Sequence, residues 1–464
     1  MPGACRTALA LCAVLITAHA PAWAQDRYHL EFSEDGGIVN VEACFDGAPP
    51  SRLDRHSRAH EFTRFVRHEG RALDGAERRG RLHLGRLPDN ACIQWQVDLD
   101  RAARERDHRF AIRIADHYLV HGRLFLWRGY RRALTVDVSL PDRLSVSVPW
   151  APDDTRAGRY TPEATPTSWT SHIAIGDFDV QPIELPGTTL RLAILGDTTT
   201  QERRRIADWI ADAAGAVTHV HGVFPRAWPQ VIVADIGARR EAVPWAHVMR
   251  GGGIAAEFFV DASRPLGDFL GDWTAVHEFS HMLMPYVSSR DRWLSEGVAS
   301  YYQNVLRARN GRLTPQQAWQ RLHDGFKRGE RGTRGGTLAE ATADGRGSTM
   351  RVYWSGAAMM LMADLRLRDL SGGEQSLDSV LGQLHDCCLE RRRGAWRARE
   401  LLAEMDRLSG TTVFTELYRE HVHDEDFPDV FDVYEELGLD LRYNRVSLAA
   451  RAPKSGLREQ IMGG

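Results

Sequence analysis

The chain has 464 residues, enough for two or three domains with sizeable cores. Its 59 Lys and Arg stand against 62 Asp and Glu, a net charge of −3, so no global field directs it to nucleic acid or to an anionic membrane surface. Beyond the N-terminal segment no run of about eighteen apolar residues occurs, which argues against membrane-spanning helices.

Residues 1–24 have the make-up of a secretory signal. Arg6 supplies positive charge, Ala8 to Ala18 forms a short apolar core, and Ala22-Trp23-Ala24 offers small residues at a cleavage position. The expectation is an exported chain, periplasmic or secreted, that begins at Gln25 and keeps no integral membrane segment. Cys5 and Cys12 would leave with the signal. An oxidising compartment suits a Cys44–Cys92 disulfide, whereas adjacent Cys387 and Cys388 are expected as free thiols, because a bond between neighbours is strained.

Residues 25–170 carry short strand-like runs: Gly37 to Phe45, Ile93 to Leu99, Phe110 to Val120, Leu124 to Arg128 and Leu134 to Val148. Clusters of Gly, Pro, Asp and Asn separate them, which predicts a β-sandwich-like domain. The charged interval Asp54 to Arg86 reads as a surface excursion, with His56, His60 and His68 solvated. A Pro/Thr-rich joint from Ala151 to Ser168 closes the domain.

A second domain is expected over 171–442, α+β in class. Thr189 to Leu195, Gln230 to Ala234 and Gly253 to Val260 read as strands, and Thr200 to Thr218 as an amphipathic helix. A helix from about Gly267 to Met284 then carries His277-Glu278-Phe279-Ser280-His281, and a second begins at Trp293 and carries Glu296. From Thr314 the chain reads as mainly helical, interrupted by a Gly/Arg-rich stretch from Gly329 to Ser348, and 443–464 as a loosely ordered tail.

Histidines four residues apart leave one face of a helix about a turn from each other, the spacing of a two-imidazole zinc clamp. Glu278, next to the first of them, stands where a carboxylate can take a proton from metal-bound water. A catalytic zinc keeps three protein ligands and an open position, and Glu296 is the best candidate for the third.

With these pieces in order, HEFSH, WLSEGVASYY, TLAEATAD, VYWSGAAMMLMADLRLRD and SLDSVLGQL, the second half resembles the M61 glycyl aminopeptidase family, within the gluzincin group that includes thermolysin-like and M1 enzymes. The resemblance implies a thermolysin-like catalytic domain with a mainly helical C-terminal lobe. It implies one zinc per chain on His277, His281 and Glu296, Glu278 as general base, and Tyr353 as a hydrogen-bond donor to the oxyanion. The implied activity is hydrolysis of peptide or protein substrates, aminopeptidase-like.

Three departures are visible. Only fourteen residues separate His281 from Glu296, and Ser355 stands where these relatives have lysine. The glutamate that holds a substrate amine in such aminopeptidases follows a glycine on a strand edge. Here Gly252, Gly253 and Glu257 are the nearest equivalents, with Glu257 one residue out of place. The strand from Gly253 to Val260 is expected to be an edge that pairs with substrate backbone. An endopeptidase, or a catalytically silent binding protein on the same scaffold, are the alternative readings.

Overall fold

The structure, a computed structural model, describes residues 25–73, 80–105, 110–129, 132–344, 349–389 and 394–463. The signal-like residues 1–24 lie outside the described residues. The chain is mixed α+β, a sheet-rich N-terminal domain followed by a largely helical region.

In Gln25–Phe32 every second residue is buried, among them Tyr28, Leu30 and Phe32, the signature of a strand with one wet face. It pairs with Ala133–Ser139 on one side and Ile38–Cys44 on the other, at the centre of an eight-stranded sheet that continues through Cys92–Asp98 and Thr63–His68. Cys44 and Cys92 are direct cross-strand partners and form a disulfide. A four-stranded sheet, in the order Ser145–Ser147, His172–Gly176, His117–His121 and Ala111–Ile114, packs on this one through a shared core containing Trp95, Trp127, Tyr118 and Ile175.

Two N-terminal expectations are corrected. Asp54 to Arg86 is more than a surface excursion: Ala59 and Phe62 are buried, and Thr63–His68 joins the main sheet. Leu124 to Arg128 is not a strand. A 3-10 turn covers Gly122–Leu124, and the buried Trp127 donates its indole N–H to the Leu124 carbonyl at 2.9 Å.

The four-stranded sheet turns its other face to a five-stranded sheet, ordered Val180–Leu185, Thr188–Leu195, Gln230–Asp235, Ala255–Val260 and Trp245–Met249. Leu119 and Ala174 meet Leu195, Ile232 and Ala234 at this seam. The sheet's far side is covered by the helix Thr200–Val217, opened by a Thr199/Glu202 capping box, and by the helices of the second half.

Several helical expectations shift. The long helix expected from Gly267 is two short ones, Leu266–Gly271 and Thr274–Ser280, followed by a 3-10 turn over His281–Leu283. Asp272 breaks the run, and its carboxylate accepts the Thr274 amide at 2.7 Å to start the next helix. The helix Pro315–Gly332 runs into the Gly/Arg-rich stretch, which is helical again over Leu338–Asp344, and its residues 345–348 lie outside the described residues. The tail is ordered rather than loose: Arg445–Leu448 pairs with Leu439–Arg442, and Ser455–Gly463 is a helix whose Ile461 and Met462 enter the core. Cys387 and Cys388, expected as free thiols, are bonded to each other at the end of Leu377–Cys388.

Candidate metal centre

Thr274–Ser280 is buried at every position, held between the five-stranded sheet and the helix Arg292–Arg309. His277 and Glu278 lie on this helix. His281 begins the 3-10 turn with αR angles, φ −60° and ψ −22°, so the four-residue spacing keeps both imidazoles on one side. The ring centroids are 4.9 Å apart.

Glu296, on the second turn of Arg292–Arg309, faces them. His277 Nε2 is 3.3 Å and His281 Nε2 3.5 Å from Glu296 Oε2. That oxygen is buried and makes no hydrogen bond. Ligand atoms at about 2.0–2.1 Å from a tetrahedral zinc stand about 3.3 Å from one another, so the three donors fit such an ion.

Burial alone would raise the Glu296 pKa. The charges of His281 and His277 and their contacts with the carboxylate outweigh burial and hold it well below the usual range. His277 is raised: burial opposes its charge, but Glu296 and the nearby charge of Glu278 prevail.

The remaining ring nitrogens are also occupied. Gln303 Oε1 lies 2.8 Å from His277 Nδ1, so that nitrogen donates and the neutral ring offers its Nε2 lone pair to a cation. His281 Nδ1 meets Ser295 Oγ at 2.9 Å. Replacing Gln303 by Leu is expected to weaken zinc binding by about 10- to 100-fold, read by competition against a chelator of known affinity.

The turn bearing His281 ends at Leu283, two residues before Pro285, where helix carbonyls need partners. Two arginines supply them. Arg250 Nη2 donates to the His281 carbonyl at 2.8 Å, while Arg226 donates to Met282 and Met284 at 3.2 and 2.9 Å. Burial lowers the Arg250 pKa to about 9. The short connection to Glu296 is pinned from outside, through Ser288 N to the Trp396 carbonyl and the Arg397–Asp291 ion pair.

Tyr353 comes from the long helix Thr349–Ser371. Its ring stacks on His277, with centroids 5.9 Å apart and planes at 17°. Burial and the carboxylates of Glu296 and Glu278 push its phenol pKa far up, so it stays protonated. A close helix crossing brings it there: a Cβ on Gly297 would lie 2.5 Å from the Gly356 carbonyl carbon, so glycine is required where the backbones touch. Gly297 follows Glu296, and Gly356 lies one turn beyond Tyr353. A cavity of about 370 Å³, lined by Trp273, Gln303, Arg307, Tyr353 and Trp354, adjoins the cluster.

Of the three candidate substrate residues, Glu257 lies on the far face of the sheet, while Gly253 lines a cavity with Arg250, Pro285 and Tyr286. Ala255–Val260 is an inner strand, and the edge beside the metal helix is Trp245–Met249. On the inner strand Ala256, Phe258 and Val260 face the helices, so Glu257, of opposite parity, faces the N-terminal domain. His172 Nδ1 and His247 Nε2 take its carboxylate at 2.8 and 3.2 Å. Gly252 and Gly253 serve close packing. Gly252 has φ +82° and its amide donates to Thr165, and any side chain on Gly253 would strike the Pro149 carbonyl.

Sequence reasoning missed Ser295, Gln303, Arg226 and Arg250. Gln303 had a signal, since it stands seven residues after Glu296 on one helix face. The arginines had none, because they reach the site only through tertiary packing.

No family model and no curated protein matches this sequence. Solved structures do match in fold. An aminopeptidase N family protein from Idiomarina loihiensis aligns with TM-score 0.67 at 13% identity, over 89% of this chain and 78% of that one. An M1 zinc metallopeptidase from Deinococcus radiodurans aligns with TM-score 0.57 at 16% identity, over 88% and 95%. Yeast LTA4 hydrolase in complex with bestatin aligns with TM-score 0.53 at 11% identity, over 88% and 68%.

Proposed function

We propose that this chain is a zinc-dependent metallopeptidase of the gluzincin kind, acting on peptide or protein substrates, with one zinc ion on His277, His281 and Glu296. The observation that carries the reading is the convergence of two imidazole nitrogens on the buried, unbonded Glu296 Oε2. Bound zinc would polarise the scissile carbonyl and lower the pKa of water at its open position toward 7.

The chain's own residues do the rest. Glu278, buried and adjacent to His277, takes a proton at its carboxylate and passes it to the leaving amine. Tyr353 donates to the oxygen on which charge develops, and the edge strand Trp245–Met249 offers unpaired backbone groups to the substrate. The retained base argues against a silent scaffold.

Within the gluzincins, the ordered sequence motifs favour the M61 family, and we extend the proposal to that assignment. Export belongs to it as well: it rests on the signal-like residues 1–24 and agrees with two disulfides, which suit an oxidising compartment.

Aminopeptidase activity is the first reading, by likeness to the aminopeptidase and M1 structures. A specific observation favours an endopeptidase as the second: Glu257 faces away from the zinc cluster, and the edge strand Trp245–Met249 carries no carboxylate. Paired peptides with free and acetylated N-termini separate the two. Cleavage of the free peptide alone supports the aminopeptidase, and equal cleavage of both supports the endopeptidase.

A further inference from the structure

A second set of donors lies on the opposite face of the five-stranded sheet. His172 comes from the four-stranded sheet, His247 from the edge strand, and Glu257 from the inner strand, directly paired with His247. Glu257 is fully buried, and its Oε1 has no hydrogen-bond partner. Leu119, Ala174, Leu195 and Ile232 pack the seam between the two sheets, and the rings of His121, His172 and His247 line the cavity that opens beside it. A carboxylate placed there is costly unless it is paired or holds a cation.

The donor set is that of the first cluster, drawn closer together by the hydrogen bond between His172 and Glu257. Again two imidazole nitrogens converge on one carboxylate oxygen, at 2.8 and 3.2 Å here against 3.3 and 3.5 Å there. In both sets the three donor atoms lie within 4.8 Å of one another. Beside the second opens a cavity of about 890 Å³ whose wall includes His121, its ring 6.0 Å from that of His172, leaving room for a water or fourth ligand.

We propose that His172, His247 and Glu257 hold a second divalent cation of the zinc class, which ties the edge strand of the catalytic sheet to the N-terminal domain. Two imidazoles and one carboxylate select a borderline transition ion over magnesium or calcium, which prefer all-oxygen sites. The ion cross-links three strands from two sheets at the strand that flanks the metal helix, so its role is to fix that edge.

Two hydrogen bonds must change: His172 Nδ1 bonds Glu257 Oε2 at 2.8 Å and has to pass its proton to Nε2 before it can hold a cation. Trp245 Nε1 donates to His247 Nδ1 at 2.9 Å, which places the ring proton on Nε2. A cation at Nε2 requires that proton on Nδ1, so the indole has to release it. Trp245 is 61% exposed and can turn away, and its fluorescence reports the change.

The test is zinc titration of the full chain after chelator dialysis, with bound metal counted per chain. Wild type is expected to bind two ions, and His281→Ala, His247→Gln and Glu257→Gln one each. Zinc should shift the tryptophan fluorescence of His281→Ala but not that of a His281→Ala/Trp245→Phe chain. One ion in wild type with none in His281→Ala overturns the proposal, as does a second ion that survives both His247→Gln and Glu257→Gln. Should the latter two chains misfold by circular dichroism, the count in His281→Ala decides.

Discussion

A Glu278→Gln chain is expected to keep its zinc and its fold while kcat falls by about 100- to 10,000-fold, the contribution of a positioned general base. The amide fills the same volume on the buried helix but cannot accept a proton at neutral pH. The group acts only where proton transfer is under way, so kcat and kcat/KM should fall together with KM little changed. Losing the Glu278 charge also removes one of the influences that raise the pKa values of His277 and Tyr353. Steady-state kinetics on a cleaved peptide, with metal analysis of the same sample, check this. Full activity would remove Glu278 from the mechanism.

Replacing Tyr353 by Phe is expected to cost about 100- to 1,000-fold in kcat, the loss of one oxyanion donor. The phenyl ring can keep the stack on His277 and the packing beside the Gly297–Gly356 crossing, so thermal stability and zinc content should hold. A tyrosine that merely anchored the helix would show the reverse, a stability loss with kcat intact. Measuring melting temperature and kcat on one preparation distinguishes the two.

What could be read from the sequence was local in origin. His277, Glu278 and His281 declare themselves through helical spacing, and Glu296 through a second periodic run after a proline. The α+β class followed from alternation giving way to helical periodicity. The edge strand was not legible, because neighbour order in a sheet is a tertiary property: Ala255–Val260 has the burial of a strand paired on both sides, while the edge is the equally apolar but less buried Trp245–Met249. Parity alone says that Glu257 and Phe258 face opposite ways. Only the packing of Phe258 against Phe279 says which of them meets the metal helix.

The C-terminal segment misled for a related reason. Ile461 and Met462 are too few to make a periodic pattern, yet both are buried, and Arg309 Nε donates to the Ile461 carbonyl at 3.0 Å. His172 and His247 lie seventy-five positions apart and acquire meaning only where two sheets meet.

The most direct test of the account compares wild type with His281→Ala for zinc content and peptide hydrolysis, each after metal removal and restoration. Wild type is expected to bind one more zinc per chain than the variant, chelation to abolish its hydrolysis and zinc to restore it, and the variant to stay inactive throughout. Equal zinc in the two chains, or hydrolysis that survives complete metal removal, would contradict it.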